Sequence, residues 1–124
     1  MATKILLVDD SATVLMMERM ILATERFEIV TANNGEEAQV RARAEQPDLI
    51  LMDVVMPKMN GLQACKALRE DPTTKHIPII MVTTRGEAET MEQGYENGCN
   101  DYVTKPVNSA ELLSKIRSIL GATK

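Results

Sequence analysis

Residues 5–11 have the sequence Ile-Leu-Leu-Val-Asp-Asp-Ser, an apolar run that stops at two carboxylates and a helix-capping residue. Two more runs, Leu49–Met52 and Ile77–Val82, are also apolar throughout. None of the three alternates between polar and apolar residues, and short runs of this kind are typical of strands buried on both faces, as parallel strands are beneath helices. We therefore expect the three runs to form the centre of a parallel sheet.

Two weaker strand candidates complete the pattern, at Phe27–Ala32 and Asp101–Thr104. The five strands begin 21 to 29 residues apart, which leaves room for one helix in every gap. Five such units in succession predict a doubly wound α/β fold with a five-stranded parallel sheet and five helices. Since no linker or repeat interrupts them, residues 1–124 are expected to form a single domain.

The gaps between the strands carry helical signals. Ser11 is a capping residue placed to begin the first helix, and the segment Asn34–Glu37 opens the second, which ends before Pro47. Apolar residues recur at helical spacing in the other helices, and Gly98 is placed to end the fourth. The apolar positions are Val14, Leu15, Met17, Met20 and Ile21 in the first helix; Leu62, Cys65 and Leu68 in the third; Ala88, Met91 and Tyr95 in the fourth; and Leu112, Leu113, Ile116, Ile119 and Leu120 in the fifth.

Composition narrows the range of functions. The 18 acidic and 14 basic side chains give a formal charge of −4, which argues against binding to nucleic acid or to an anionic membrane surface. The longest apolar run has six residues, whereas a membrane helix needs about 20. Cys65, Cys99 and the single histidine, His76, are too few to form a structural zinc site. We expect a cytoplasmic protein with two free thiols, present as a monomer or a weak dimer.

Polar residues follow the strands at the edge where ligands bind in open parallel sheets. Asp9 and Asp10 follow the first strand, Asp53 ends the third, Thr83 ends the fourth, and Lys105 follows the fifth. Taken singly, each has an ordinary explanation as a turn, cap, loop or surface residue. Together, three carboxylates, a hydroxyl and an ammonium group are expected to converge on one rim.

The three carboxylates cannot all stay charged unaided. Two unit charges about 5 Å apart repel by roughly 3 kcal/mol at an effective dielectric constant of about 20, so either one carboxyl is protonated or a cation binds. Oxygen ligands alone favour a hard ion such as Mg²⁺. Mg²⁺ and Lys105 would together balance the three negative charges, and a neutral cluster of this kind can accept a phosphoryl group. A carboxylate can then act as the nucleophile and form an aspartyl phosphate.

In these features the chain resembles the receiver domain of response regulators over its whole length. The segments that carry the resemblance are Ile5–Ser11, Leu51–Pro57, Asn60–Gly61, Met81–Thr83 and Gly98–Pro106. The resemblance implies a flavodoxin-like strand order, 2-1-3-4-5. Too few residues follow the fifth helix for an output domain, so we expect either a regulator without one or a receiver domain cut from a longer protein. Within the family, Val82–Glu87 and Lys105–Val107 are similar to stand-alone chemotaxis and twitching-motility regulators.

The resemblance assigns a role to each rim residue in two-component signalling. Asp53 would be the phosphoacceptor, which receives its phosphoryl group from a histidine kinase or a phosphotransfer protein. Asp9, Asp10 and Asp53 would hold Mg²⁺ together with the backbone carbonyl of Val55. The other implied features are a phosphoryl-binding ammonium at Lys105, a cis peptide between Lys105 and Pro106, a switch hydroxyl at Thr83 and a switch aromatic at Tyr102.

The implied mechanism is a switch rather than an enzyme, with at most self-catalysed phosphotransfer and autodephosphorylation. Phosphorylation would shift the population of conformations, and the change would reach a target protein through the face of the fourth helix, fifth strand and fifth helix. Val55 and Arg85 stand at the two positions that tune dephosphorylation in this family. Valine cannot hold an attacking water by a hydrogen bond, which predicts slow self-dephosphorylation.

Three other functions compete with this interpretation. A degenerate receiver that binds partners without phosphate is disfavoured because all five rim residues are present. A Mg²⁺-dependent phosphohydrolase of the haloacid dehalogenase type would need a second aspartate where Ser11 or Ala12 stands. A flavodoxin-like FMN binder would need a phosphate loop rich in Ser, Thr and Gly after the first strand, where Asp9 and Asp10 would repel the phosphate.

Overall fold

The computed structural model describes residues 3–56, 59–84, 92–93, 95–105 and 107–122. Five strands form one sheet with parallel pairing throughout, in the order β2-β1-β3-β4-β5. The strands are β1 (Thr3–Val8), β2 (Phe27–Ala32), β3 (Leu49–Asp53), β4 (Ile79–Thr84) and β5 (Asp101–Lys105). The helices are α1 (Ala12–Leu22), α2 (Gly35–Glu45), α3 (Gly61–Glu70) and α4 (Ser109–Ala122). The predicted α/β class and strand order are confirmed.

Four helices are counted among the described residues, where the sequence predicts five. The helix predicted around Ala88 and Met91 falls largely outside the residues that the structure describes. Near its end, the N–H of Asn97 donates to the carbonyl of Gln93 at 3.0 Å, and Gly98 follows with a φ of 100°, which suits glycine. None of the described helices is long and apolar enough to cross a membrane.

Side-chain caps begin the first two helices, at the predicted Ser11 and at Asn34, which opens the segment predicted to start the second helix. Ser11 Oγ accepts a hydrogen bond from the N–H of Val14 at 3.3 Å, and Asn34 Oδ1 accepts one from the N–H of Glu37 at 2.8 Å. Each cap satisfies an N–H group that the first helical turn leaves without an internal partner. The cap at Ser11 fixes the start of α1 directly after β1, beside the predicted site.

The apolar strand runs are buried on both faces, as predicted. On β1, Ile5 and Leu7 belong to a core layer with residues of α1 and α4, whereas Leu6 and Val8 belong to a second layer with residues of α2 and α3. This division arises because successive side chains of a strand point to opposite faces. Full burial of one such side chain contributes about 1.5–3 kcal/mol, so the two apolar layers stabilise the sheet that carries the site.

β4 begins at Ile79, two residues after the start of the apolar run that predicts it. The cause is Pro78, which has no N–H to donate to a neighbouring strand. Its carbonyl still accepts a hydrogen bond from the N–H of Ile50 on β3 at 3.0 Å. The proline therefore lies just before the strand.

Candidate functional site

The predicted site residues meet at the carboxyl end of the sheet. Asp9 directly follows β1, Asp53 is the last residue of β3, and Lys105 is the last residue of β5. Because all five strands run in parallel, these three ends lie on the same edge. Asp9 and Asp53 are buried, with 1% and 4% of their surface exposed, whereas Asp10 is exposed.

One ammonium group joins the two buried carboxylates. Lys105 Nζ lies 3.1 Å from Asp53 Oδ1 and 3.5 Å from Asp9 Oδ2. Burial alone would favour the neutral amine, but the charges of Asp53 and Asp9 outweigh it and raise the pKa of Lys105. The lysine therefore keeps its positive charge at neutral pH.

The Asp53 carboxyl group holds its proton more tightly than an exposed aspartate does. Burial raises the pKa of Asp53 to about 6; the ion pair with Lys105 opposes this rise, and the charge of Asp9 adds to it. At neutral pH the ionised form is still the major one. The ionised carboxylate is the form that acts as a nucleophile.

Two hydrogen bonds orient Asp9. Asp9 Oδ1 accepts one from the N–H of Ser11, the residue that caps α1, at 2.9 Å. The N–H of Asp9 donates the other to the carbonyl of Ala32, the last residue of β2, at 3.1 Å. The other oxygen, Oδ2, is buried and accepts no hydrogen bond from the described residues. A buried carboxylate oxygen with unused acceptor capacity is suited to binding a cation.

Three carboxylates lie close enough to hold one ion. Asp9, Asp10 and Asp53 each offer an oxygen, and these atoms lie within 4.8 Å of one another. The donors are oxygens only, so the cluster fits a hard cation such as Mg²⁺. Val55, whose carbonyl is predicted as a further ligand, follows Asp53 by two residues and is 69% exposed; its role stays a prediction.

The close approach of α3 to Asp53 requires a glycine. The N–H of Gly61 donates to the carbonyl of Val54 at 2.8 Å. A Cβ atom at Gly61 would lie 2.1 Å from the backbone oxygen of Asp53, far inside contact distance. Gly61 therefore allows the first turn of α3 to pack against the end of β3, which holds Asp53 in place.

Thr83 and Tyr102, the two predicted switch residues, lie on the neighbouring strands β4 and β5. Thr83 is buried on β4 and pairs in register with Thr104 on β5. The half-buried ring of Tyr102 meets that of Tyr95 edge-on at 6.1 Å, and Lys115 Nζ lies 4.7 Å from its centre. Lys115 also donates a hydrogen bond to the carbonyl of Tyr102. The residue predicted to move is thus held by another ring and by a cation.

Glu18 is the one buried glutamate among the described residues, and it was not predicted from the sequence as a site residue. Only 2% of its surface is exposed, and its Oε1 has no hydrogen-bond partner there. Burial raises the pKa of Glu18 to about 8; the charge of Asp9 adds to this effect and that of Lys105 opposes it. A signal was present, because Glu18 stands at helical spacing from Leu15 and Leu22, the other buried residues of α1.

Some predictions fall outside the residues that the structure describes. Arg85, predicted to tune dephosphorylation, is one of these residues. Pro106, predicted to follow a cis peptide bond, is another. Both roles stay predictions.

Comparison with known proteins finds related sequences and folds. A family model described as the response regulator receiver domain matches residues 5–117. Protein PilH of Pseudomonas aeruginosa is 40% identical over 117 residues, which are 94% of this chain and 97% of PilH. Response regulator PleD of Caulobacter vibrioides is 40% identical over 120 residues, 96% of this chain but 26% of PleD. The chain thus spans about a quarter of the length of PleD.

Solved structures share the fold over nearly the whole chain. Chemotaxis response regulator CheY4 of Vibrio cholerae superposes with a TM-score of 0.89 at 34% identity, covering 96% of this chain and 99% of that one. The receiver domain of sensor histidine kinase PA1611 from Pseudomonas aeruginosa superposes with a TM-score of 0.90 at 27% identity, covering 98% and 99%. That structure has a magnesium ion coordinated in its active site cleft.

Proposed function

Because this chain belongs to the response regulator receiver family, we propose that it is a signalling switch whose state is set by phosphorylation of Asp53. The family acts as phosphoacceptors in two-component signalling rather than as true enzymes. One observation carries the assignment to Asp53: its carboxylate lies 3.1 Å from the ammonium of Lys105, in a cluster with Asp9 and Asp10 whose oxygens lie within 4.8 Å. Nucleophile and positive charge are therefore in place together.

Asp53 supplies the nucleophile for phosphoryl transfer. One of its carboxylate oxygens attacks the phosphorus of a phosphohistidine on a histidine kinase or phosphotransfer protein. The new P–O bond forms as the P–N bond breaks, and the imidazole leaves. Lys105 then pairs with the phosphoryl oxygens and stabilises their negative charge.

The acidic cluster is the proposed magnesium site. Asp9, Asp10 and Asp53 would hold the ion, together with the backbone carbonyl of Val55. When bound, Mg²⁺ supplies positive charge that offsets the carboxylates and the incoming phosphoryl group. The buried Oδ2 of Asp9, which accepts no hydrogen bond from the described residues, supports this assignment.

Phosphorylation changes the charge of the rim and with it the preferred conformation. The aspartyl phosphate adds roughly −1.5 to −2 charges at neutral pH. Lys105 and the hydroxyl of Thr83 bind these oxygens better in one conformation, so the population shifts toward it. Tyr102 follows Thr83 inward and leaves its contacts with Tyr95 and Lys115.

The output surface is the side of the molecule around β5. Tyr95, Asp101 and Lys115 lie there, linked by an ion pair of 3.4 Å between Lys115 and Asp101 and by a hydrogen bond of 3.4 Å from Tyr95 to Asp101. A target protein docks on this face, which is formed by the helix predicted around Ala88 and Met91, by β5 and by α4 (the fifth helix predicted from the sequence). Rearrangement of Tyr102 alters the surface that the target meets.

The signalling context that we propose is bacterial chemotaxis or motility. The support is the likeness to the chemotaxis response regulator CheY4, which matches this chain at nearly full length on both sides. The phosphodonor would be a histidine kinase or a phosphotransfer protein, and the output would be a protein rather than DNA. The formal charge of −4 accords with a protein target.

The decisive experiment is the intact mass of the chain after incubation with acetyl phosphate, with and without Mg²⁺. We expect one phosphoryl adduct of about 80 Da that requires both Mg²⁺ and Asp53, as an aspartyl phosphate does. Asp53→Asn should abolish the adduct. Asp48→Asn is the matched control, because Asp48 precedes the opposite end of β3, and this variant should be modified normally.

The same experiment separates the competing function. If the folded chain stays unmodified both by acetyl phosphate and by a phosphorylated histidine phosphotransfer domain, the protein is a module that binds partners without phosphate. An adduct that survives Asp53→Asn would assign the phosphoacceptor to a different residue.

A further inference from the structure

A cavity of about 370 Å³ opens between α1 and the end of β5. It is lined by Val14, Met17, Glu18, Ile21, Lys105 and Val107. Four of these six side chains are apolar, and the volume lies within the range of small-molecule pockets. The two polar side chains, Glu18 and Lys105, are therefore the lining groups that can orient a ligand.

Glu18 lines this cavity as a buried carboxyl group without a charged partner. Only 2% of its surface is exposed, and none of the ion pairs among the described residues includes it. A buried carboxylate without a paired cation is costly, so such a group keeps its proton. The pKa of Glu18, which burial raises to about 8, agrees with this geometry. Glu18 therefore offers an O–H donor at neutral pH, and its Oε1 has no hydrogen-bond partner among the described residues.

Lys105 supplies the positive charge of the cavity wall. Its ammonium group has three N–H donors, and the ion pairs with Asp53 and Asp9, at 3.1 and 3.5 Å, account for two of them. When Mg²⁺ occupies the acidic cluster, its two charges and that of Lys105 balance the three carboxylates. An approaching anion then meets no net negative charge on the rim, and the one charged group among the lining residues is a cation.

We propose that this cavity binds a small organic acid, a carboxylate with an apolar body; the inference rests on the proposed function for its bound Mg²⁺. The carboxylate of the ligand accepts the O–H of Glu18 in a charge-assisted hydrogen bond and pairs with Lys105. The apolar body packs against the valine, isoleucine and methionine side chains of the lining. An amine does not suit the cavity, because Glu18 is neutral and Lys105 repels a second cation.

The test compares three probes that share a phenylpropyl skeleton and differ in charge: 3-phenylpropionate, 3-phenylpropionamide and 3-phenylpropylamine. Each is titrated at neutral pH and in excess Mg²⁺ into the full chain, labelled with ¹⁵N on the backbone and ¹³C on the methionine methyl groups. We expect the acid to shift the signals of α1, Val107 and the Met17 methyl group, and to bind at least about fivefold more tightly than the amide. The amine should not bind.

Variants then assign the two polar contacts. Glu18→Leu removes the O–H donor and should weaken binding of the acid at least about fivefold, whereas Glu18→Gln keeps an N–H donor there and should bind the acid within about threefold of the parent. Lys105→Met removes the positive charge and should abolish the preference for the acid over the amide. Glu36→Gln and Lys66→Met, at exposed residues of α2 and α3, are the matched controls and should bind the acid like the parent.

The same spectra separate this cavity from the acidic cluster. Val107→Phe, which partly fills the cavity, should weaken binding of the acid and the amide alike. An acid that coordinated the magnesium ion instead would shift the signals of Asp10 and Val55 and would be insensitive to Val107→Phe, which would contradict the proposal. The shifts that Mg²⁺ alone causes at Asp10 and Asp53 are recorded first. If Mg²⁺ causes none, the magnesium site and the cavity proposal both fail, whereas if Mg²⁺ binds and the acid does not, only the cavity proposal fails.

Four results on the Mg²⁺-bound chain would overturn the proposal. One is equal binding of acid and amide, which would leave only an apolar cavity. Another is a preference for the acid that survives Lys105→Met. The third is binding of the acid that Glu18→Leu leaves unchanged, or that Glu18→Gln strengthens by about tenfold, since the latter would mean that Glu18 is ionised. The fourth is the absence of shifts in α1 and Val107. Both Glu18 variants remove a buried polar group or keep it neutral and should fold, which the fingerprint spectrum of each variant checks.

Discussion

Lys105 Nζ lies 3.1 Å from Asp53 Oδ1, so one ion pair spans β4 and joins the ends of two strands that are not neighbours in the sheet. The same ammonium group lies 3.5 Å from Asp9. Two buried carboxylates that would repel each other are therefore held by a single cation. The position of Lys105 is thus central to the charge balance of the rim.

Replacing Lys105 should slow phosphorylation without removing the nucleophile. Lys105→Met keeps most of the side-chain length but loses the charge that stabilises the phosphoryl oxygens, so we expect the rate with acetyl phosphate to fall roughly 10²-fold. The rate is followed by intact mass over time. Lys66→Met, at an exposed lysine of α3, should leave the rate unchanged. A Lys105→Met rate within about twofold of the parent would contradict the role given to this lysine.

Substitution of Gly61 should destabilise the protein and disturb Asp53. In Gly61→Ala the new Cβ would lie 2.1 Å from the backbone oxygen of Asp53, so α3 or the end of β3 must shift. We expect a loss of about 2–4 kcal/mol in the free energy of unfolding, measured by urea denaturation. Gly121→Ala is the control, since nothing lies within 4 Å of its Cβ position in α4, and it should be neutral or stabilising by up to about 1 kcal/mol. Equal effects of the two changes would refute the argument.

Stability should fall as the pH rises from about 5 to about 8, because of Glu18. The pKa of this buried carboxyl is raised from 4.5 to about 8, so over this window the folded state holds a proton that the unfolded state releases. The free energy of unfolding therefore decreases with pH, by a few kcal/mol in total. Asp9, Asp53 and Lys105 face the same region, and the raised pKa of Asp53, about 6, gives a slope of the same sign.

The contribution of Glu18 is isolated by difference. Urea denaturation is repeated across this pH range for Glu18→Gln, in which the slope should be markedly smaller than in the parent while the part due to Asp53 remains. Glu36→Gln should keep the full slope, since Glu36 is exposed. If Glu18→Gln and the parent have parallel stability profiles, Glu18 is ionised in the folded protein.

The lifetime of the aspartyl phosphate should depend on Val55, which is 69% exposed and two residues from Asp53. Val55→Asn offers a hydrogen-bonding group that can orient an attacking water, so we expect decay faster by roughly tenfold. Decay is measured after removal of the phosphodonor, by intact mass. Val55→Leu is the apolar control and should decay like the parent. An unchanged rate in Val55→Asn would disprove the proposed cause of slow dephosphorylation.

The convergence of Asp9, Asp53 and Lys105 could be predicted because parallel strands place all their carboxyl ends at one edge. Asp9 and Asp53 each follow or end an apolar run, and Lys105 follows the weaker strand candidate Asp101–Thr104, so the three residues could be placed on one edge without any coordinates. The distances could not be predicted, since the 3.1 Å ion pair depends on the rotamer of a long lysine side chain. Gly61 lies in a segment singled out by resemblance, but its packing against Asp53 depends on how closely α3 approaches β3.

The core-facing side of α1 was harder to predict from sequence. The predicted apolar stripe includes Met17 and Met20, yet these are 49% and 67% exposed. In their place the helix buries Glu18. The helix α1 carries apolar side chains on most of its own faces, so hydrophobicity alone does not fix which face packs against the sheet. A pattern of this kind also assigns a carboxylate such as Glu18 to solvent.

β5 is an edge strand, and its outer side has no neighbouring strand in the described sheet. Open edges of this kind invite pairing with another chain, and proteins often protect them with lysine. Lys115 does so here, because its ammonium donates to the carbonyl of Tyr102 and pairs with Asp101 at 3.4 Å. The surface proposed to meet a target protein is therefore also the one that guards this edge against self-association through backbone hydrogen bonds. A partner that draws Lys115 away from the strand would leave that carbonyl available for its own donors.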